Sequence, residues 1–170
     1  MVTIIIPGFS AHNKKWLEDV TGEIKSEGEI RPIYWGHWND PDISFNPVQK
    51  ANLLDGISGK RVVDIVAKSI GTLVASYLIR KSPEKIRKVI FCGIPINDIS
   101  EDKKEVIKDA LSKISPENIV CIQNDEDPHA SFDMVKNFLS EFGDSIQVIS
   151  KPGSDHEYFY QEDFNKFLLG

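Results

Sequence analysis

Cysteine and positive charge are both scarce in this 170-residue chain. The two cysteines, Cys92 and Cys121, lie in separate apolar stretches without CxxC spacing, so we expect buried free thiols rather than a disulfide framework. Lysine and arginine number 20 against 26 aspartates and glutamates, giving a net charge of -6 that is scattered along the chain. This charge balance argues against nucleic-acid or anionic-membrane partners.

Long hydrophobic runs and paired histidines are also missing. The opening MVTIIIPG has no basic region, and its apolar run is too short for a signal peptide or a membrane span. A cytoplasmic protein is therefore predicted. The candidate metal ligands His12, His37 and His129 form no HxH or HExxH pair, so neither a metal nor another cofactor is expected.

The composition that is present is that of a globular domain. A hydrophobic share of 41% with 27% charged residues suits one domain over residues 1–170, long enough to bury about 70% of its unfolded surface. Short apolar runs alternate with amphipathic helical stretches. Strands are predicted at Val2–Ile6, Ile30–Tyr34, Arg61–Val66, Lys88–Cys92, Asn118–Gln123 and Ser145–Ile149.

Helical spacing of apolar residues fills the segments between most of these strands. The predicted helices contain Trp16 to Ile24, Leu73 to Leu78, Val106 to Ile114, Phe132 to Phe142 and Phe164 to Leu168. This alternation predicts an α/β fold: a doubly wound, mostly parallel sheet of about six strands with helices on both faces. A functional site is expected at the carboxyl ends of the strands.

Ser69 follows the third predicted strand in the segment AKSIG. Ala67 and Gly71 flank it at two residues on either side, which suits a sharp strand-to-helix turn that exposes a nucleophilic hydroxyl. The same serine is equally typical of a helix N-cap. The segment alone leaves both interpretations open.

An acid and a histidine follow later strands in positions that suit a serine nucleophile. Asp127, before Pro128, is the preferred acid, and Asp125 is its competitor. The Pro-Gly turn after the sixth strand leads to His156. The chain order serine, acid, histidine is that of α/β-hydrolases.

Two backbone amides complete the predicted site. Gly8 ends the first strand in a turn, so the amide of Phe9 and the amide of Ile70 are candidates for an oxyanion hole. The long segment after the second strand contains Trp35, His37, Trp38 and Phe45. It forms either a wall of the substrate cleft or an aromatic cluster that packs the loop, and His37 is the next base to test if His156 is distant.

These residues carry a family resemblance over nearly the whole chain. The IIIPG turn, the AKSIG elbow, the VIFCG strand and the segments NDEDPHAS and PGSDHEYF resemble the short, nearly capless α/β-hydrolases grouped with retinoblastoma-binding protein nine. That resemblance implies Ser69 as nucleophile, Asp127 as acid, His156 as base and the amides of Phe9 and Ile70 as oxyanion hole.

The sequence departs from the family pattern at three positions. Ala67 and Lys68 stand where the family commonly has glycine and histidine, and Asn124 where it usually has glycine. Alanine keeps the elbow small. Lys68 places a cation beside the nucleophile, so it is either a partly solvated side chain or, with Trp35, His37 and Trp38, a group of the substrate cleft.

The function implied is hydrolysis of an ester, thioester or related acyl bond through an acyl-enzyme. Only about one helix fits between Gly93 and the next strand, so no large cap is expected and the cleft is open to a small or acylated substrate. The alternative is a non-catalytic binding or regulatory protein on the same scaffold. A nucleotide-binding domain is disfavoured because the turn after the first strand has a single glycine.

Overall fold

One parallel sheet organises the molecule. The computed structural model describes residues 1–142 and 145–170, and within these ranges six strands pair in the order β2-β1-β3-β4-β5-β6, each parallel to its neighbour. The strands are β1 (Val2–Ile6), β2 (Glu29–Pro32), β3 (Val63–Lys68), β4 (Ile86–Cys92), β5 (Ile119–Asn124) and β6 (Gln147–Lys151). The predicted doubly wound fold is confirmed.

Helices cover both faces of this sheet. They are α1 (Asn13–Glu23), α2 (Pro47–Ser58), α3 (Ile70–Lys81), α4 (Glu101–Leu111), α5 (Phe132–Phe138) and α6 (Gln161–Leu169). Alternate side chains of β3 enter two separate cores, Ile65 with helices α2 to α5 and Val66 with helices α1 and α6. The central strands are therefore apolar on both faces, as a parallel sheet requires.

Several predicted boundaries are shifted, and one helix was missed. The structure starts β3 at Val63 and β6 at Gln147, two residues after each predicted start. Helix α5 ends at Phe138 rather than Phe142. The segment after β2 is irregular to residue 46, as expected, apart from one short 3₁₀ turn. The missed helix is α2, which begins at Pro47 because the Asn46 side chain caps it by accepting the Gln49 amide at 3.1 Å.

Cys92 and Cys121 are buried free thiols, as predicted. Burial raises the pKa of the Cys121 thiol to about 12, so it stays protonated at neutral pH. Within the described ranges, no helix combines the length and the apolar character that crossing a bilayer requires. Residues 1–142 and 145–170 also contain no cluster of three or more metal-binding side chains.

Candidate active site

Ser69 occupies a strained turn between β3 and α3. Its backbone has φ 56° and ψ -131°, and among the described residues no other non-glycine residue has a positive φ. Such a conformation costs about 1–3 kcal/mol and persists only where the surroundings enforce it. The Ser69 side chain makes no capping hydrogen bond to α3. Ser69 therefore occupies the N-cap position of α3, but its hydroxyl does not cap the helix, and capping does not account for the strained backbone.

Close packing holds this elbow in place. The amide of Ser69 donates to the Cys92 carbonyl at 2.9 Å, which ties the turn to β4. A β-carbon at position 71 would lie 2.5 Å from the Ile6 carbonyl oxygen and 2.7 Å from that of Pro7. Gly71 is thus required by the approach of α3 to the end of β1, while Ala67 fits completely buried beneath the turn.

The acid and the histidine meet across two loops. His156 Nδ1 donates to Asp127 Oδ2 at 2.6 Å, and the Tyr158 hydroxyl donates to the same oxygen at 2.5 Å. The His129 amide donates to Asp127 Oδ1 at 2.8 Å. Burial opposes ionisation of Asp127, but the hydrogen bonds from His156 and Tyr158 outweigh it, so the pKa of the carboxyl lies below its usual value.

Asp125, the competing acid, faces elsewhere. Its carboxylate accepts a hydrogen bond from the Ser150 hydroxyl, and its amide donates to the Lys151 carbonyl at 2.8 Å. The structure therefore places Asp127, and not Asp125, against the imidazole of His156.

Ser69 and His156 line one cavity of about 450 Å³. Because a carboxylate only accepts hydrogen bonds, the contact with Asp127 leaves the lone pair of neutral His156 on Nε2. That atom is buried and has no hydrogen-bond partner among the described residues, so no hydrogen bond joins it to Ser69. The apolar part of the cavity wall is formed by Phe9, Phe45, Pro47, Ile70, Leu73 and Pro95.

The amides of Phe9 and Ile70 border the same cavity. Ile70 begins α3, so its N–H lacks an intrahelical acceptor. In the described part of the chain neither amide donates to a backbone carbonyl.

The aromatic segment after β2 supports the turn after β1 instead of lining the cavity. Trp35 Nε1 donates to the Gly8 carbonyl at 3.1 Å, and Trp38 Nε1 donates to the Phe9 carbonyl at 2.7 Å. His37 Nε2 lies 2.7 Å from that same oxygen. Trp35, His37 and Trp38, which were expected in the cleft, are not among the residues that line this cavity, whereas Phe45 is.

The structure also differs from the expectation that Lys68 is partly solvated or part of the cleft. Its side chain is 1% exposed, and it lies outside the cavity wall, so it is neither partly solvated nor a group of the cleft. Its ammonium instead pairs with Glu157 at 3.0 Å.

Sequence reasoning missed several residues that shape the site. Asn124 Nδ2 donates to the carbonyls of Asp155 and Glu157 at 3.0 Å each, which fixes the loop around His156. Gly93 has φ 59°, and a β-carbon there would lie 2.8 Å from His156 Cε1. A glycine directly after a strand is a sequence signal for a tight turn, and Gly93 carried that signal. No feature of the sequence indicated the hydrogen bonds of Asn124.

A second imidazole lies beside the first. The centres of the His129 and His156 rings are 4.3 Å apart, and His129 Nδ1 pairs with the Asp98 carboxylate. Asp98, His129 and Lys103 border the cavity and give it a polar side. The arrangement as a whole brings a half-buried serine, a histidine paired with a buried carboxylate, and a second histidine–carboxylate pair to one cavity.

Comparison with known proteins identifies the fold. No family model and no curated protein matches the sequence. Among solved structures, a lidless α/β serine hydrolase from Xanthomonas campestris superposes with TM-score 0.71 at 13% identity, over 99% of this chain and 78% of that one. Est1E from Butyrivibrio proteoclasticus gives TM-score 0.69 at 15% identity, over 99% and 86%.

A third structure, an α/β serine hydrolase homologue from Coxiella burnetii, gives TM-score 0.58 at 14% identity, over 99% of this chain and 83% of that one. At sequence identities this low, the structural similarity establishes the fold and nothing further. The chain therefore has the α/β-hydrolase fold without a cap, as its sequence resemblance implied.

Proposed function

We propose that the protein is a serine hydrolase that cleaves a carboxylic ester, thioester or related acyl bond. One observation carries the proposal: Ser69, held in a strained turn where its hydroxyl makes no capping hydrogen bond, lines the same cavity as His156, whose Nδ1 is bound to Asp127. Strained backbone of this kind is characteristic of functional sites.

The mechanism begins with proton transfer from Ser69. The Ser69 Oγ attacks the substrate carbonyl carbon while His156 Nε2 accepts its proton, and Asp127 stabilises the imidazolium that forms. The amides of Phe9 and Ile70 donate to the developing oxyanion. His156 then protonates the leaving group, and an ester of Ser69 remains.

Water completes the turnover. His156 Nε2 removes a proton from water, the resulting hydroxide adds to the acyl carbon, and the proton returns to Ser69 Oγ as the carboxylic acid leaves. The cavity of about 450 Å³, walled by Phe9, Phe45 and Leu73, favours short acyl groups of small esters or thioesters.

A non-catalytic binding protein is the alternative, and one observation favours it. Within the described ranges His156 Nε2 has no hydrogen-bond partner, so the base is not hydrogen-bonded to Ser69. Catalytic hydrogen bonds are commonly long before substrate binds, and the enzyme proposal requires this one to shorten on binding.

Labelling with a fluorophosphonate probe separates the two candidates. We expect the wild-type protein to be phosphonylated on Ser69, and Ser69→Ala to prevent labelling. Ser10, which borders the same cavity, provides the matched control, because Ser10→Ala should still be labelled. Folded wild-type protein that takes up no label, or takes it up elsewhere, contradicts the enzyme proposal and supports the binding protein.

A further inference from the structure

An ion pair with a buried lysine lies next to the proposed nucleophile in the chain. Lys68 is the last residue of β3, its side chain is 1% exposed, and its Nζ lies 3.0 Å from Glu157 Oε2. The other oxygen of Glu157 lies 2.8 Å from His12 Nε2. The Lys68 ammonium also lies 5.7 Å from the ring centre of Trp16, a cation–π distance.

The mechanism gives this lysine no role, and a buried lysine is costly. Lysine is almost never fully buried without a partner, because removal of the ammonium from water costs several kcal/mol. Burial lowers the pKa of Lys68, and the attraction of Glu157 opposes that effect. Burial also opposes ionisation of Glu157, but the charge of Lys68 outweighs it and the pKa of Glu157 lies below its usual value. Each ion therefore depends on the other.

The two partners are the chain neighbours of the two reacting groups. Lys68 directly precedes Ser69, and Glu157 directly follows His156, so the ion pair joins segments 89 residues apart in sequence. Asn124 Nδ2 donates to the Glu157 carbonyl at 3.0 Å, and this bond fixes the backbone from which the carboxylate projects. The pair thus connects the end of β3 to the loop after β6.

We propose that the Lys68–Glu157 ion pair positions His156 relative to Ser69, so that both residues are positioning residues for the acylation step. The inference rests on the proposed hydrolase function. In a reaction that transfers a proton between two side chains, an error of about 1 Å in their separation costs about 100-fold in rate. Neither Lys68 nor Glu157 lines the cavity, so substrate binding should be insensitive to the pair.

Lys68→Met and Glu157→Gln test this proposal by removing one charge each. Met keeps the length of the side chain, and Gln keeps an oxygen that the ammonium can reach. We expect the acylation rate with p-nitrophenyl acetate, measured as the pre-steady-state burst, to fall about 10-fold to 100-fold. The substrate dissociation constant, obtained from the dependence of the burst rate on substrate concentration, should change less than about twofold. A purely structural pair would change the melting temperature and leave this burst rate intact.

The double variant Lys68→Met with Glu157→Leu replaces the pair by apolar groups, a change that commonly preserves or raises stability. The burst rate of the double variant should be as low as that of either single variant and no lower, because each single substitution already breaks the ion pair. Lys85→Met is the control: it breaks the Lys85–Asp55 pair, which is 2.6 Å long and lies outside the cavity wall, and should leave the burst unchanged.

Two results overturn the proposal. One is a wild-type burst rate in folded Glu157→Gln or in the folded double variant; the other is an equal loss of rate in Lys85→Met. Failure of the hydrolase function itself is distinguishable, because wild-type protein would then show neither a burst nor fluorophosphonate labelling of Ser69.

Discussion

Replacement of Ser69 by glycine should stabilise the protein while it removes the nucleophile. Ser69 is held at φ 56° and ψ -131°, a conformation that glycine adopts without the β-carbon clash. The serine hydroxyl makes no capping hydrogen bond to α3. Its removal therefore costs no hydrogen bond to an amide of that helix. Ser69→Ala removes the same hydroxyl and keeps the β-carbon, which makes it the reference for backbone strain.

The size of the effect follows from two opposing contributions. Relief of the strained backbone is worth about 1–3 kcal/mol. The greater freedom of glycine in the unfolded chain costs about 0.5–1 kcal/mol. Ser69→Gly should therefore exceed Ser69→Ala in free energy of unfolding by up to about 2.5 kcal/mol. For a domain of this size, 1 kcal/mol corresponds to about 2–4 °C in melting temperature.

Urea denaturation of both variants measures the difference, and Ser100 supplies the matched pair. Ser100 is the N-cap residue of α4, also makes no capping hydrogen bond, and has φ -70°. At Ser100, the difference in free energy of unfolding between the glycine and alanine variants measures the ordinary preference for glycine at an unstrained N-cap. If the difference at Ser69 is no larger than that at Ser100, the elbow holds no strain and the reasoning fails.

Three further predictions concern the side chains around the elbow. Asp127→Asn should lower esterase turnover about 10³-fold to 10⁴-fold, whereas Asp125→Asn should change it less than about threefold; equal losses would show that the acid is misplaced. Tyr158→Phe should reduce the free energy of unfolding by about 1.5–3 kcal/mol at pH 7, because the low pKa of the Asp127 carboxyl contributes stability only above the pKa of the unfolded state. That loss should fade in urea titrations below about pH 4, as the carboxyl takes up its proton; a loss independent of pH would contradict the assignment. Trp38→Phe removes the donor to the Phe9 carbonyl and should lower kcat about tenfold at unchanged KM; a rise in KM alone would indicate a cleft residue instead.

The architecture was readable because strands buried on both faces leave a strong sequence signal. The runs Val89 to Cys92 and Ile119 to Ile122 are apolar at every position and alternate between the two cores, and helical stretches separate them. Helix α2 escaped prediction because its apolar residues surround its axis: Leu54 is buried, whereas Leu53 is 62% exposed. Such a helix has no single apolar face for a periodicity argument to detect.

The placement of Ser69, Asp127 and His156 followed from topology, since residues after parallel strands gather at one edge of the sheet. Their supporting contacts did not. The bond from Trp38 to the Phe9 carbonyl spans 29 residues, and the pair of Lys68 and Glu157 spans 89. Contacts of this kind depend on strand register and loop course, neither of which a single sequence specifies.

The donors to Asp127 make the position of His156 part of the protein's stability. The Asp127 side chain is fully buried and remains charged, so each donor that it loses leaves part of that charge uncompensated. Two of its donors, His156 and Tyr158, belong to the loop after β6, and the third is the His129 amide of its own loop. A displaced loop would cost several kcal/mol at the carboxylate alone, so the energy that keeps the base in place is the energy that keeps this buried charge paired.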